Sequence, residues 1–559
     1  MEKLIPAPIS KGEKAAGKKE REKVDVMDFL HYPYPSRRMA VFAKKGMVAA
    51  SQPLAAQAGL EILKKGGNAV DAAIACAAAL TVVEPTSNGI GGDAFAILWH
   101  NGRLYGMNGS GPSPRSISVE AVKERGHEKM PAFGVLPVTV PGVPKSWAAL
   151  SKRFGRLSLS EVLQPAIRYA REGYPVSPTV AKNWQAAFQR YKTLEGPEFQ
   201  PWFETFTLSG KPPRAGDVWA SPDHARTLER IGETEGESFY RGELAEKIDQ
   251  FFREHGGFLS GEDLADFSVE WVEPVGIPYR GYHVWELPPN GQGLVALMAL
   301  NIVKQFPFDR MDETEWFHHQ IEALKLAFTD GKAHITDPAH MKTEISQWMS
   351  EEYAKKRASE IASVASDPRP VSLPKGGTVY LATADEEGNM VSYIQSNYMG
   401  FGSGIVIPGT GIALQNRGAD FSLDEGHPNV LKPGKRTYHT IIPGFLTKGK
   451  EAIGPFGVMG GYMQPQGHMQ VVMNLLDKHL NPQAALDAPR WQWLEGKKVA
   501  VEHGFPGHLA KALARKGHRI QVFLDSDAFG RGQIILRNPE TGVYAGGTEP
   551  RADGMIAAW

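Results

Sequence analysis

Two periods of apolar residues alternate along the chain. Leu54, Ala58 and Ile62 share one face of a helix entered at Pro53, with Ser51 placed to cap it and Gly66-Gly67 to end it. Asn68 opens a second helix whose residues 70–80 are apolar nearly all round, a pattern that predicts burial on every side. Gly89, Gly91 and Gly92 form a tight loop after it. Residues 94–99 and 103–107 read as strands, and Asn101-Gly102 between them is a strong hairpin signal. Residues 116–275 are mainly helical, with charged surfaces and Pro-rich breaks such as Pro212-Pro213, and residues 315–330 form a further amphipathic helix.

The character changes near residue 366. A Pro/Gly-rich connector, Asp367-Pro368-Arg369-Pro370 through Pro374-Lys375-Gly376-Gly377, runs into Thr378, where β-type chain begins. Strands are expected at 379–384 and 390–395 about a turn at 385–389. Further strand pairs fall at 441–446 with 452–459 and at 533–537 with 543–545, with a helix over 469–476. Helices before and after several antiparallel strands predict an α+β fold, an αββα sandwich of two stacked sheets covered by helices, with an additional helical region.

At 559 residues the chain is too long for one ordinary hydrophobic core, so two lobes or two closely packed layer systems are expected. Lys+Arg and Asp+Glu each total 62, which leaves no global basic field to hold a polyanion and argues against a nucleic-acid partner. Residues 1–38 carry many charges and lack the apolar run of about 7–15 residues that a secretory signal needs, so they read as a charged, flexible arm. No run of about 18 apolar residues occurs, so no membrane span is expected, and the cytoplasm is the expected location. Cys76 is the only cysteine and lies in an apolar run. It excludes an intrachain disulfide or a Cys-based zinc cluster and reads as a small buried hydrophobe. His318, His319, His334 and His340 lack a metal-ligand spacing and read as solvated helix or loop residues, so no metal is expected.

Candidate chemistry centres on Gly377-Thr378. Glycines leave the carbonyl before Thr378 sterically open. A threonine hydroxyl is a weak nucleophile until a base takes its proton. Cutting the Gly377–Thr378 bond would free the Thr378 α-amine beside its own hydroxyl. The reference pKa of an α-amine, roughly 7.7–8.0, suits a base near neutral pH. Taken alone, Gly-Gly-Thr is weak evidence and reads far more readily as an ordinary loop-to-strand junction.

The surrounding motifs add to this. Gly377-Thr378-Val379-Tyr380-Leu381-Ala382-Thr383-Ala384-Asp385, with Gly388-Asn389, Phe401-Gly402-Ser403-Gly404 and Gly411-Ile412-Ala413-Leu414-Gln415-Asn416, resembles the start of the small subunit of γ-glutamyltransferases. Gly66-Gly67-Asn68-Ala69-Val70-Asp71, Gly89-Ile90-Gly91-Gly92 and Val140-Pro141-Gly142 upstream fit the same family, as do Gly460-Gly461, Ala488-Pro489-Arg490 and Pro550-Arg551-Ala552-Asp553-Gly554 downstream. The resemblance implies the N-terminal-nucleophile hydrolase superfamily and a zymogen cut between Gly377 and Thr378. The products are a large subunit, residues 39–377 after the arm, and a small catalytic subunit, 378–559, intertwined in one globular unit. It assigns Thr378 as nucleophile, Ser396 as the hydroxyl that hydrogen-bonds it, and the N–H groups of Gly460 and Gly461 as the oxyanion hole.

The substrate pocket departs from the family. Asp420 matches the acidic residue that receives the γ-glutamyl α-amine. The arginine expected to clamp the α-carboxylate aligns with Asn108, the paired serines with His439-Thr440, a glutamine with Arg417 and a pocket asparagine with Tyr398. The expected activity is cleavage, with transfer secondary, of γ-glutamyl groups from glutathione-like amides through a Thr378 acyl-enzyme resolved by water or an amine. Such a role belongs to glutathione metabolism. Asn108, Arg417 and His439 favour instead a glutaryl- or cephalosporin-type acylase of the same family. An uncleaved, non-catalytic binding relative is the alternative from another class. No organic cofactor is needed on any of these readings, and a homodimer is left open.

Overall fold

The computed structural model describes residues 38–368, 373 and 376–559. The β-type segments pair into two seven-stranded sheets, antiparallel throughout. One runs Met555–Ala558, Gly46–Ala50, Gly377–Asp385, Met390–Tyr398, Asp93–His100, Arg103–Gly109, Glu270–Val272. The other runs Val41–Ala43, Tyr544–Thr548, Arg531–Arg537, Glu451–Met459, Gly444–Lys448, Tyr282–Glu286, Val275–Tyr279. Phe95, Ile97, Tyr380 and Ile394 of the first sheet pack with Phe445, Ile535 and Tyr544 of the second. Helices Pro53–Lys64, Ala69–Val83 and Leu159–Glu172 close the outer side of the first sheet, and Gly293–Val303, Glu313–His334 and Met463–Leu476 that of the second. This is the expected αββα sandwich. Its central strands, Gly377–Asp385 and Met390–Tyr398, are buried on both faces along nearly their whole length. The additional helices fall within 116–275 as predicted.

Every residue of Ala69–Val83 is buried, Cys76 included, and Asn68 caps it in a reciprocal box with Asp71. The hairpin turn at Asn101-Gly102 has both residues at positive φ, 49° and 78°. Two local expectations fail. Gln52, not Ser51, caps Pro53–Lys64, because its longer side chain reaches the N–H groups of Leu54 and Ala55, while the Ser51 hydroxyl turns to Glu84. His318 is not solvated: it is buried, with Nδ1 2.9 Å from His518 Nε2 and Nε2 donating to Ala362 O at 2.8 Å. Glu322 lies in the same group and could suggest a cation site with the two histidines, but the buried Lys325 ammonium already sits 2.8 Å from its carboxylate. The cluster supplies its own cation and fastens the chain at 362–366. Among the described residues, no helix is long and apolar enough to cross a membrane. The arm expected over 1–38 lies, except for its last residue, outside the described residues, as does part of the connector.

Segments from both sides of the Gly377–Thr378 bond contribute strands to each sheet. Gly377–Asp385 is hydrogen-bonded to Gly46–Ala50 on one side and to Met390–Tyr398 on the other. One ion-pair group holds the loop behind Gly460. Buried Arg490 donates to the carbonyls of Phe529 and Gly530, both at 2.9 Å, and to Glu549 at 2.9 Å, while Arg551 bridges Glu549 and Glu502. Gly530 in turn backs Gly460, where an added Cβ would meet the Gly530 Cα at 3.1 Å. Removing one partner of a buried pair strands the other charge. Arg490→Met should destabilise the fold by about 3 kcal/mol, the low end of the usual range because Arg551 still faces Glu549. Denaturant unfolding followed by tryptophan fluorescence checks this, and a loss below about 1 kcal/mol would mark the pair as dispensable.

Candidate active site

The site begins at an irregularity in strand pairing. Gly377 pairs with Tyr398 and Val379 with Gln395, so two steps on one strand face three on the other. This is a bulge on Met390–Tyr398, which brings Ser396 beside Thr378. The Thr378 hydroxyl donates to Gly377 O at 2.7 Å and lies 3.1 Å from the Ser396 hydroxyl. Ser396 donates to Gly377 O at 2.7 Å and accepts the Tyr398 N–H at 2.8 Å. One carbonyl oxygen thus receives two hydroxyl donors, which withdraw electron density from the carbon that a nucleophile would attack. Thr378 and Ser396 are buried. Tyr398, at the end of the bulge, has φ of +75°.

Close backbone approach explains the glycines. A Cβ on Gly377 would sit 3.0 Å from Gly400 N and 3.4 Å from Ser87 Cα, and one on Gly376 3.0 Å from Tyr398 O and 3.2 Å from Gly461 Cα. Gly460 and Gly461 have φ of +132° and +58° at the turn from Glu451–Met459 into Met463–Leu476. Their N–H groups donate to no acceptor among the described residues, at a helix end whose partial charge favours an anion.

Next to this lies a buried polar pocket. The Arg417 guanidinium stacks 4.1 Å above the Tyr398 ring, and its Nη1 donates to Thr440 Oγ1 at 2.8 Å. Its Nε and Nη2 find no partner among the described residues. Burial works against its charge, while Asp420 nearby favours it. Asp420 Oδ1 accepts the hydroxyls of Tyr398 and Tyr462, both at 2.9 Å. Oδ2 has no hydrogen-bond partner and lies 3.9 Å from Arg417 Nη1. Burial and the Asp420 charge hold both tyrosines well above the usual phenol range, so both stay donors. Gln292 ties this pocket to the glycine turn by donating to Thr440 O and Gly461 O.

His439 and Asn108 are placed differently. His439 Nδ1 accepts the Ile441 N–H at 3.3 Å, so its proton is on Nε2, donated to Asp93 Oδ2 at 3.0 Å. Burial and Arg417 keep this imidazole neutral. Asn108 is occupied by the Asn290 side chain and by Ser110, and its amide forms a structural network, not a free donor set. Tyr462, Gln292, Asp93 and Lys332 were not legible as site residues. Tyr462 follows Gly460-Gly461 directly and was the one within reach of a motif argument. Lys332, whose ammonium donates to the Tyr462 hydroxyl at 2.7 Å, lies on a distant helix and carries no local signal.

The gamma-glutamyltranspeptidase family model matches residues 55–559. A solved structure described as a cephalosporin acylase from Bacillus halodurans is 64% identical with a TM-score of 0.93, over 96% of this chain and 99% of that one. The glutathione hydrolase-like YwrD proenzyme of Bacillus subtilis (strain 168) is 38% identical over 530 residues, 92% of this chain and 98% of that protein. An oxamate amidohydrolase proenzyme of Klebsiella pneumoniae is 34% identical over 529 residues, again 92% and 98%.

Glu84 accepts the Ser51 hydroxyl in a buried setting 4.0 Å from Arg531. Burial pushes its carboxyl up to about 7, with Arg531 pulling the other way. The folded value lies above the unfolded one, so the stabilisation is full below about pH 4.5 and is lost as pH rises through about 7. Glu84→Gln keeps the neutral form at every pH. In denaturant unfolding it should match the wild type near pH 4.5 and exceed it by on the order of 3 kcal/mol at about pH 8. A pH-independent gap would mean that Glu84 is charged throughout.

Proposed function

The chain belongs to the gamma-glutamyltranspeptidase family, and we propose that it hydrolyses amides of a dicarboxylic acyl group such as glutaryl, with Thr378 as the nucleophile. The coarser activity is that of an N-terminal-nucleophile amidohydrolase made as a proenzyme, as its relatives are. The finer reading rests on one observation above all: Arg417 is buried with two nitrogens unpartnered while Asp420 is already met by two tyrosine hydroxyls. A buried guanidinium with a free edge suits a terminal carboxylate. The solved relative at 64% identity is described as a cephalosporin acylase, which agrees with that direction.

The first reaction is the cut. Thr378 Oγ attacks the Gly377 carbonyl carbon, the hydroxyl proton passes to the departing amide nitrogen, and the acyl group moves from nitrogen to oxygen. Water then splits the ester, leaving a Gly377 carboxylate and a free Thr378 α-amine. In the second reaction that amine takes the hydroxyl proton as Oγ attacks the substrate amide, and it returns the proton to the leaving amine. The N–H groups of Gly460 and Gly461 would hold the oxyanion, and water releases the acid. The γ-glutamyl reading retains one specific support, the unpartnered Asp420 Oδ2, which could accept an α-ammonium.

Thr378→Ala should remain one uncut 61.2 kDa chain and be inactive. Ser396→Ala should slow the cut by about 10²–10³-fold, the cost of one oxyanion-type donor, and Ser396→Thr should restore it. Denaturing electrophoresis with intact mass reads both; scission of Thr378→Ala at the same bond would sink the mechanism. Glutaryl-4-nitroanilide should exceed γ-glutamyl-4-nitroanilide in kcat/KM by about tenfold or more. Arg417→Gln should remove most of that difference. The reverse preference would return Asp420 to the leading role.

A further inference from the structure

A cavity of about 200 Å³ is lined by Gly377 and Gly460 together with Thr86, Arg190, Asp527 and Arg531. It lies apart from Arg417 and Asp420, neither of which lines it. Arg531 is only 7% exposed, yet its guanidinium donates no hydrogen bond to a described residue. The nearest carboxylate oxygens are 3.7 Å away on Asp527 and 4.0 Å away on Glu84. Asp527 is itself engaged by Lys182 at 2.7 Å. Glu84, with its carboxyl raised to about 7 by burial, is a weak counter-charge near neutral pH. The Thr86 hydroxyl is buried without a partner, and Arg190 is exposed and makes no ion pair among the described residues. A buried cation without hydrogen bonds is costly unless something completes it. Two guanidinium groups and a free hydroxyl around one small space are the donor set of a carboxylate site.

We propose that this cavity is the subsite for the amine half of the substrate and binds a carboxylate carried by that leaving group through Arg531, Arg190 and Thr86. The inference rests on the acylase reading above. With the acyl carboxylate held at Arg417, the scissile amide lies between two anion sites, so the preferred substrates are amides that are anionic at both ends.

The test uses the self-cleaved protein and two substrates with one acyl group, the glutaryl amides of 4-nitroaniline and of 5-amino-2-nitrobenzoic acid, at low ionic strength. The wild type should favour the carboxylated amide by about tenfold in kcat/KM, and Arg190→Ala and Arg190→Glu should erase and then invert that ratio. Equal turnover of the two amides, or a ratio unmoved by both variants, would overturn the subsite. If a fully cut wild type turns over neither amide, the acylase reading fails. The subsite is then judged by calorimetric binding of 5-amino-2-nitrobenzoate against 4-nitroaniline. Selective binding lost in Arg190→Glu upholds it, and no binding at millimolar concentration overturns it.

Discussion

The structure turns on the crowding of backbone around one peptide bond. Gly376 and Gly377 enter the central strand against Gly400, Tyr398 O and Gly461, so close that an added Cβ would press on rigid backbone at 3.0 Å. The bulge opposite them lets a serine hydroxyl reach the Gly377 carbonyl, and the strand pairing beyond Val379 locks the register that makes this possible. Both sheets, and the helices that cover them, are the scaffold that over-determines this bond. The elements nearest to it, Gly377–Asp385 and Met390–Tyr398, are buried along their length apart from the partly buried Gly377.

Electrostatics divides the same region into two. Arg417, Asp420, Tyr398 and Tyr462 share a pocket from which water is largely excluded, so hydrogen bonds there are strong and any missing partner is expensive. The tyrosines answer one oxygen of Asp420 and Arg417 stands off the other at 3.9 Å. That leaves a guanidinium edge and a carboxylate oxygen both unsatisfied in the uncut chain. A pocket built in this way discriminates through the cost of leaving buried groups unpaired, which is steeper than discrimination by shape alone.

Much of the fold was legible because its signals are local and its layers are simple. The apolar run over 70–80, the Asn101-Gly102 turn and the change to β-type chain at Thr378 each correspond to an observed element. Boundaries moved by a few residues where tertiary hydrogen bonds extend an element: the helix expected at 469–476 begins at Met463, behind the Gly460-Gly461 turn. At the site, Thr378, Ser396, Gly460, Gly461, Arg417, Asp420, Tyr398 and Thr440 do come together. Asn108 is spent on Asn290 and the nearby Ser110, and His439 on Asp93; the bonds to Asn290 and Asp93 join residues far apart in sequence, which no motif encodes. The burial of His318 was missed for the same reason, since its partners lie at His518 and Ala362.

Interleaving of the two parts of the chain has a consequence for the proposed nucleophile. Chain termini usually fray, because their last residues have few hydrogen bonds to lose. Thr378, once freed, would start a strand that is bonded to Gly46–Ala50 from the N-terminal part and to Met390–Tyr398 from its own, with Val379 to Ala384 buried between the layers. Scission therefore removes one covalent bond and little of the packing. The new terminus inherits a position set by the whole sandwich, with its hydroxyl still 3.1 Å from Ser396 if the strand holds its register. Donors fixed before a reaction need no reorganisation during it, so on the proposed mechanism the geometry that polarises the Gly377 carbonyl would afterwards hold the Thr378 hydroxyl ready.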